Sequence, residues 1–185
     1  MQYQVNTGRH RCAGLTLLEL VTTLAISGIM LSLAVPAMSA LSGNNARVSA
    51  TNTLVRHLQL ARSEAVTRGR VTILCPSPGG RSCSDSTSWE QGYILVLDSN
   101  NNRSADSGDT LVRVFQGLDE RIAISSTAGR KRILFNPLGM SPGYNLTLSF
   151  CDRQQVVEPR AVILSNTGRP RLSETRPDGS PIQCS

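Results

Sequence analysis

Gly14-Leu15-Thr16-Leu17-Leu18-Glu19 opens the run LTLLELVTTLAISGIMLSLAV, residues 15–35, in which twenty-one positions hold one charged side chain, Glu19. As a helix rising ~1.5 Å per residue, that run crosses a hydrocarbon core of ~30 Å. The preceding residues, 1–14, are polar and carry Arg9, His10 and Arg11 near their end. Positive charge on that side of an apolar span predicts a cytoplasmic amino terminus and an exported remainder. An ordinary secretory signal has a shorter apolar core and a small-residue cleavage site after it, whereas Gly14 precedes the core here. A plain signal anchor satisfies the length but leaves Glu19 unexplained. A carboxylate inside a membrane helix costs ~2.5–3.5 kcal/mol on insertion scales and needs a partner or a purpose.

Beyond Pro36 and the Ser-Gly-Asn-Asn stretch at 42–45, the pattern becomes amphipathic. Leu54, Leu58, Ala61 and Ala65 mark one helical face, with Arg47, Arg56, Arg62 and Arg68 expected on the others. Gly69 supplies a C-terminal stop. A helix over 15–68 would be ~80 Å long. Only its second half is expected to pack on a globular domain, and Gly28, Pro36 and Gly43 are the places to bend or melt. His57 reads as a helix-surface residue. Short apolar or alternating runs at 71–74, 93–97, 111–115, 122–124, 133–135, 146–150 and 161–164 are bounded by turn residues and predict strands. A sheet around the second half of the helix would bury both apolar faces, an α+β arrangement.

The formal charge is +6, and all basic side chains but Lys131 are arginines. Arginine's planar fork suits phosphate, and a basic balance hints at an anionic partner. Removal of residues 1–14 would leave seventeen basic against thirteen acidic residues, about +4. Cys12 precedes the apolar run; Cys75, Cys83, Cys151 and Cys184 follow it. Their spacing fits no zinc site, no histidine lies near them, and an exported domain favours two disulfides. Three pairings exist. Cys75–Cys83 would close a short Pro/Gly/Ser loop and Cys151–Cys184 would tie down the tail, and this is the preferred set. No nucleophile–base pair, metal cluster or phosphate-cradling loop is legible, so no enzyme, metal or cofactor is expected. The loop at 98–109 alternates oxygen side chains as a calcium loop does, but lacks the sixth-position glycine and terminal glutamate and carries Arg103. A polar hairpin loop is the favoured reading.

Gly14-Leu-Thr-Leu-Leu-Glu19 resembles the type IV prepilin cleavage motif. The resemblance implies cleavage after Gly14 by the prepilin peptidase, N-methylation of Leu15 (where the family usually has phenylalanine), and an assembly contact from Glu19, fifth in the mature chain, to a neighbouring subunit's amino terminus. Such a pairing would offset the burial cost. Pro36 falls where many pilins carry a helix-distorting proline. Ala61-Arg-Ser-Glu-Ala-Val-Thr-Arg-Gly69, Val71-Thr-Ile-Leu-Cys75, Trp89-Glu-Gln-Gly-Tyr-Ile-Leu-Val-Leu-Asp98 and Phe135-Asn-Pro-Leu-Gly139 resemble the GspH/FimT subgroup of minor pilins and pseudopilins. The implied organisation is a cleaved leader at 1–14, a transmembrane and assembly helix at 15–36, its amphipathic continuation at 37–69, and a periplasmic β-rich domain with a C-terminal tail at 70–185. The implied fold is pilin-like, with the helix packed on antiparallel sheet. Implied partners are other pilins in the filament, the prepilin peptidase and the inner membrane.

Gly168-Arg169-Pro170-Arg171, placed just after the last expected strand, matches the Gly-Arg-x-Arg motif that binds DNA in FimT-like competence pilins. Pro170 fixes its own φ and biases Arg169 toward extended backbone. Arginines at i and i+2 then face one side ~6–7 Å apart, able to reach phosphates of double-stranded DNA without reading sequence. A second string, Gly129-Arg130-Lys131-Arg132, adds weaker candidates and weakens the motif as a signature. Tyr93, Tyr144 and Trp89 do not interleave with these clusters, so no stacking platform is expected. Two functions follow: a DNA-binding minor pilin serving uptake in transformation, or a structural minor pilin or type II secretion pseudopilin.

Overall fold

The computed structural model describes residues 16–184, so Gly14 and Leu15, the expected cleavage and methylation positions, lie outside the described residues. One helix, α1 (Leu17–Arg68), is followed by eight strands: β1 (Thr72–Pro76), β2 (Gly92–Leu97), β3 (Thr110–Gln116), β4 (Ile122–Ser126), β5 (Ile133–Phe135), β6 (Leu146–Asp152), β7 (Arg160–Leu164) and β8 (Pro170–Ser173). The chain divides into two units, Met1–Ser39 and Ala40–Ser185.

In the first unit the helix is apolar on all sides, and side chains such as Leu17, Leu24, Ile29 and Leu33 are exposed. The helix is long and apolar enough to cross a membrane. Thr16 begins the helix as a cap, its Oγ1 accepting the Glu19 backbone N–H at 3.2 Å. Thr22, Thr23 and Ser32 turn their hydroxyls back onto carbonyls three residues earlier, which keeps these polar groups satisfied within the helix. Helical assignment continues through Gly28, Pro36 and Gly43, the positions at which the sequence suggests a bend.

In the second unit, Ala46, Ala50, Leu54, Leu58, Ala61 and Ala65 repeat at three- and four-residue steps, and all six are buried. They join one core with residues of both sheets, including Leu74, Tyr93 and Phe135 of one and Ile124, Leu148, Phe150 and Val162 of the other. The sheets are antiparallel and four-stranded, ordered β3-β2-β1-β5 and β4-β6-β7-β8. All of β1 and β2 is buried, because the outward Cys75, Ile94 and Val96 form a second small core with Cys83 and Ala105 from covering loops. Cys75–Cys83 and Cys151–Cys184 are both bonded, with Cα separations of 5.5 and 5.7 Å.

All seven strands read from the sequence form, with ends moved by one or two residues at most positions. The eighth, β8, is an addition. It begins with a proline and holds one large apolar residue, Leu172, so it lacks the usual strand pattern; an edge position tolerates both features. Arg47 also departs from expectation. It is 8% exposed, donating to the Glu158 carbonyl and to Asn44 Oδ1 rather than lying on a solvent face. At Gly43 a Cβ would meet the Arg121 guanidinium, which would have to shift. Arg121 in turn bonds both oxygens of Asp152, at 2.8 and 3.0 Å, joining the start of β4 to the end of β6. Asp152 Oδ2 also accepts from the Val156 and Val157 N–H groups.

Leu58, fully buried between the sheets, supplies a direct test of this core. Leu58→Ala should destabilise the chain by ~2–5 kcal/mol in equilibrium urea unfolding. The Arg121 hydrogen bonds hold the Asp152 carboxyl below its ordinary 3.8, at about 2. A depressed carboxylate pKa means that the unfolded chain binds the extra proton first as pH falls. Stability from this pair is therefore complete above pH ~4 and is lost between that point and about 2. Urea midpoints across that window should fall for the wild-type chain and fall less steeply for Asp152→Asn.

Candidate nucleic-acid interface and membrane-helix site

β7 and β8 form a hairpin whose turn is set by local chemistry. Gly168 N–H donates to the Ser165 carbonyl at 2.9 Å, and Gly168 takes φ +73°, the left-handed conformation that closes a hairpin with a bulge. A Cβ on Gly168 would lie 2.1 Å from the Gly139 carbonyl oxygen. The glycine of the Gly-Arg-x-Arg string is therefore dictated by the turn and its packing on the Asn136–Gly139 turn, whatever the arginines bind. The string is not a tail beyond the last strand, as the sequence suggests. Its Pro170 and Arg171 belong to β8, with Pro170 opposite Leu164 and Arg171 opposite Ile163.

That register decides which way the arginines face. Val162 and Leu164 belong to the core, so Ile163 and its cross-strand neighbours Thr147 and Arg171 lie on the outer face. Arg169 lies just before β8, its carbonyl accepting the Ser165 N–H across the turn. Both arginines are exposed, and among the described residues neither has an ion-pair partner. Two guanidiniums without ion-pair partners, one on an edge strand and one just before it, can each offer a bidentate donor pair to a phosphate.

The second string is less available. Lys131 Nζ meets Asp85 Oδ2 at 2.5 Å, and Arg130 Nη1 donates to the Gly143 carbonyl. Arg132 is exposed. Gly129 has φ +76°, closing the turn in which the Arg130 N–H donates to the Thr127 carbonyl. The structure brings the strings to one loop: Arg130 holds the Gly143 carbonyl, while Asn166 of the β7–β8 turn accepts from the Gly143 and Ser141 N–H groups.

Among the described residues, Tyr144 is half-buried. Trp89 and Tyr93 are wholly buried. His57, expected on the helix surface, is half-buried. Its ring stacks on Phe115 with centroids 3.9 Å apart, and its Nδ1 is 2.7 Å from the Tyr93 hydroxyl. Burial, with Arg56 and Arg113 nearby, holds its pKa below the ordinary histidine value, which suits a packing role for the neutral ring. Burial likewise raises Tyr93 above the ordinary tyrosine value.

The loop at 98–109 uses its carboxylates on itself. Asp98 accepts from the Asn102 and Arg103 N–H groups, Asp109 from those of Ser99 and Asp106, and Asp106 from Gly108. These bonds are those of a self-capped hairpin loop. Among the described residues no group of three or more His, Cys, Asp or Glu side chains is placed to hold a metal ion.

At the other end of the chain, Glu19 lies exposed in the first turn of α1. No charged partner meets its carboxylate among the described residues.

Comparison with known proteins agrees with this architecture. Residues 9–35 match the prokaryotic N-terminal methylation motif. Pilin-like protein PilA1 of Thermus thermophilus is 32% identical over 164 residues, covering 86% of this chain and 97% of that protein. Two crystal structures of the type IV minor pilin FimU from Pseudomonas aeruginosa share the fold. One has a TM-score of 0.56 at 20% identity, over 70% of this chain and 90% of that one. The other has a TM-score of 0.53 at 23% identity, over 68% and 90%. Residues 50–168 match the family described as type II transport protein GspH. With its methylation motif, its single membrane-length helix and its pilin fold, the chain belongs to the GspH family of minor type IV pilins and pseudopilins.

Proposed function

We propose that this minor pilin binds DNA through Arg169 and Arg171, in uptake during natural transformation. The observation that carries the reading is a pair of exposed arginines without ion-pair partners among the described residues, Arg171 on the outer face of edge strand β8 and Arg169 just before it. Their ~6–7 Å spacing suits neighbouring phosphates, and contact to phosphates alone makes binding salt-dependent and indifferent to sequence. Gly168 serves by allowing the turn that presents them. Lys131 contributes little, since Asp85 already offsets its charge.

In this reading the chain sits in the inner membrane with residues 1–14 cytoplasmic and the β-rich unit periplasmic. The prepilin peptidase cleaves after Gly14, Leu15 becomes the methylated terminus, and Glu19 pairs with the amino terminus of a neighbouring pilin. That pairing would relieve the cost of a carboxylate in the bilayer. The chain works as a filament subunit rather than an enzyme.

A second reading, a structural pseudopilin of a type II secretion system, is favoured by the GspH match, which ends at residue 168, immediately before the arginines. DNA affinity of the full chain in detergent micelles separates the two. The DNA reading expects measurable duplex binding at low salt. In Arg169→Ala/Arg171→Ala the slope of log affinity against log salt should be shallower by ~1.8, about 0.9 for each lost phosphate contact. Weakening should be the same across unrelated duplex sequences. Unchanged affinity in the double variant would remove these arginines from the site, and absence of binding by the wild-type chain would favour the secretion reading.

A further inference from the structure

The outer face of the β4-β6-β7-β8 sheet carries more than the two arginines on its β8 edge. From the register, its rows run Arg171, Ile163, Thr147, and then Ser173, Ala161, Ser149, Ser125. Four strands place the β4 and β8 edges ~14 Å apart. A groove of about 750 Å³ opens on this face, with Ser125, Thr127, Thr147 and Ser149 among its lining. Two guanidiniums join these hydroxyls: Arg130 from the turn after β4, and Arg176 from the C-terminal segment.

Both groove arginines hydrogen-bond neutral groups. Arg130 donates to the Gly143 carbonyl, and Arg176 Nη2 donates to Gln183 Oε1 at 3.1 Å. Neither is in an ion pair among the described residues. Asp178 is the one carboxylate lining the groove, and its Oδ1 is occupied by the Ser180 N–H and hydroxyl. The C-terminal segment is held in place twice, by the Cys151–Cys184 disulfide to β6 and by its own turn, where the Gly179 N–H donates to the Arg176 carbonyl. Arg171, Arg130 and Arg176 therefore gather around this face with a row of hydroxyl side chains and one acid, Asp178, which feels the charge of Arg176. That complement suits an extended phosphodiester chain, whose oxygens accept from both kinds of donor.

We propose that the nucleic-acid backbone bound by Arg169 and Arg171 continues across this sheet face into the groove, where Arg130 and Arg176 contact two further phosphates. The inference rests on the DNA reading given above. It adds two residues, one of them in a segment that no Gly-Arg-x-Arg string marks, and it gives the Cys151–Cys184 disulfide a role in holding one wall of the site.

The test uses the full chain in detergent micelles, a fluorescently labelled duplex, and anisotropy titrations across a range of salt. Arg130→Ala and Arg176→Ala should each weaken binding roughly two- to fivefold, the scale of a single exposed charge contact. Each should also make the salt slope shallower by ~0.9. Arg130→Lys and Arg176→Lys keep the charge and should keep the slope. Arg81→Ala, in the loop closed by the Cys75–Cys83 disulfide, should leave both quantities unchanged. If Arg130→Ala/Arg176→Ala binds as the wild type does while Arg169→Ala/Arg171→Ala is weakened, the groove is excluded and the DNA function stands. Lysine variants as impaired as the alanine variants would also overturn the proposal, by showing that these arginines act only through Gly143 and Gln183. If the wild-type chain binds no duplex at low salt, the DNA function fails and the groove fails with it.

Discussion

The burial of one helical face between two sheets is the constraint from which the β-rich unit is built. Ala46, Ala50, Ala61 and Ala65 are small enough for close backbone approach, and Leu54 and Leu58 fill the space between them. Neither sheet is a self-sufficient layer: each turns apolar side chains toward the same stripe of α1, so the helix is the shared wall of a single core. Inward and outward positions on every strand follow from that. On β7, Val162 and Leu164 must face the helix, so Ile163 cannot. Through the register, Arg171 is carried to the outer face with it.

Charge is distributed according to the same constraint. Where a basic side chain lies near the helix or a strand end, it is drawn into structure: Arg47 onto the Glu158 carbonyl, Arg121 onto Asp152, Arg153 onto Glu90. Arg160 and Lys131 meet acids at the surface. A formal charge of +6 therefore says little about any one surface. The guanidiniums of Arg130, Arg171 and Arg176 say more, because they gather around one sheet face with a single acid, Asp178.

Turn chemistry holds that face in register. Gly168 and Gly139 approach so closely that neither turn could close with a side chain at position 168, and Asn166 then fastens the β7–β8 turn to the loop before β6. On the first sheet, the Cys75–Cys83 loop covers the outer face of β1 and β2, which is why those strands are buried on both sides. On the second sheet β6 and β7 are likewise buried on both faces, and the covering there includes the C-terminal segment fastened to β6 by the Cys151–Cys184 disulfide. The two sheets differ less in their strands than in what covers them.

The membrane-length helix, the methylation motif, the amphipathic stripe from Leu54 to Ala65 and seven strands were legible from residue order, because local periodicity and apolar run length encode them. β8 was not: a proline, an arginine, a leucine and a serine carry no strand pattern, and only pairing with β7 makes them one. Arg47 looked solvent-facing because helical spacing places it next to, rather than within, the apolar stripe; the Glu158 loop that covers it arrives from 111 residues away. His57 was misplaced for the same reason, its aromatic neighbours being supplied by β2 and β3. The sequence by itself determined that the chain has an apolar helix of membrane length with a methylation motif, a β-rich remainder and two basic strings. Only the tertiary structure decided that both strings border one sheet face and that Arg176 joins them, since side-chain direction on a strand depends on partners that local order does not name.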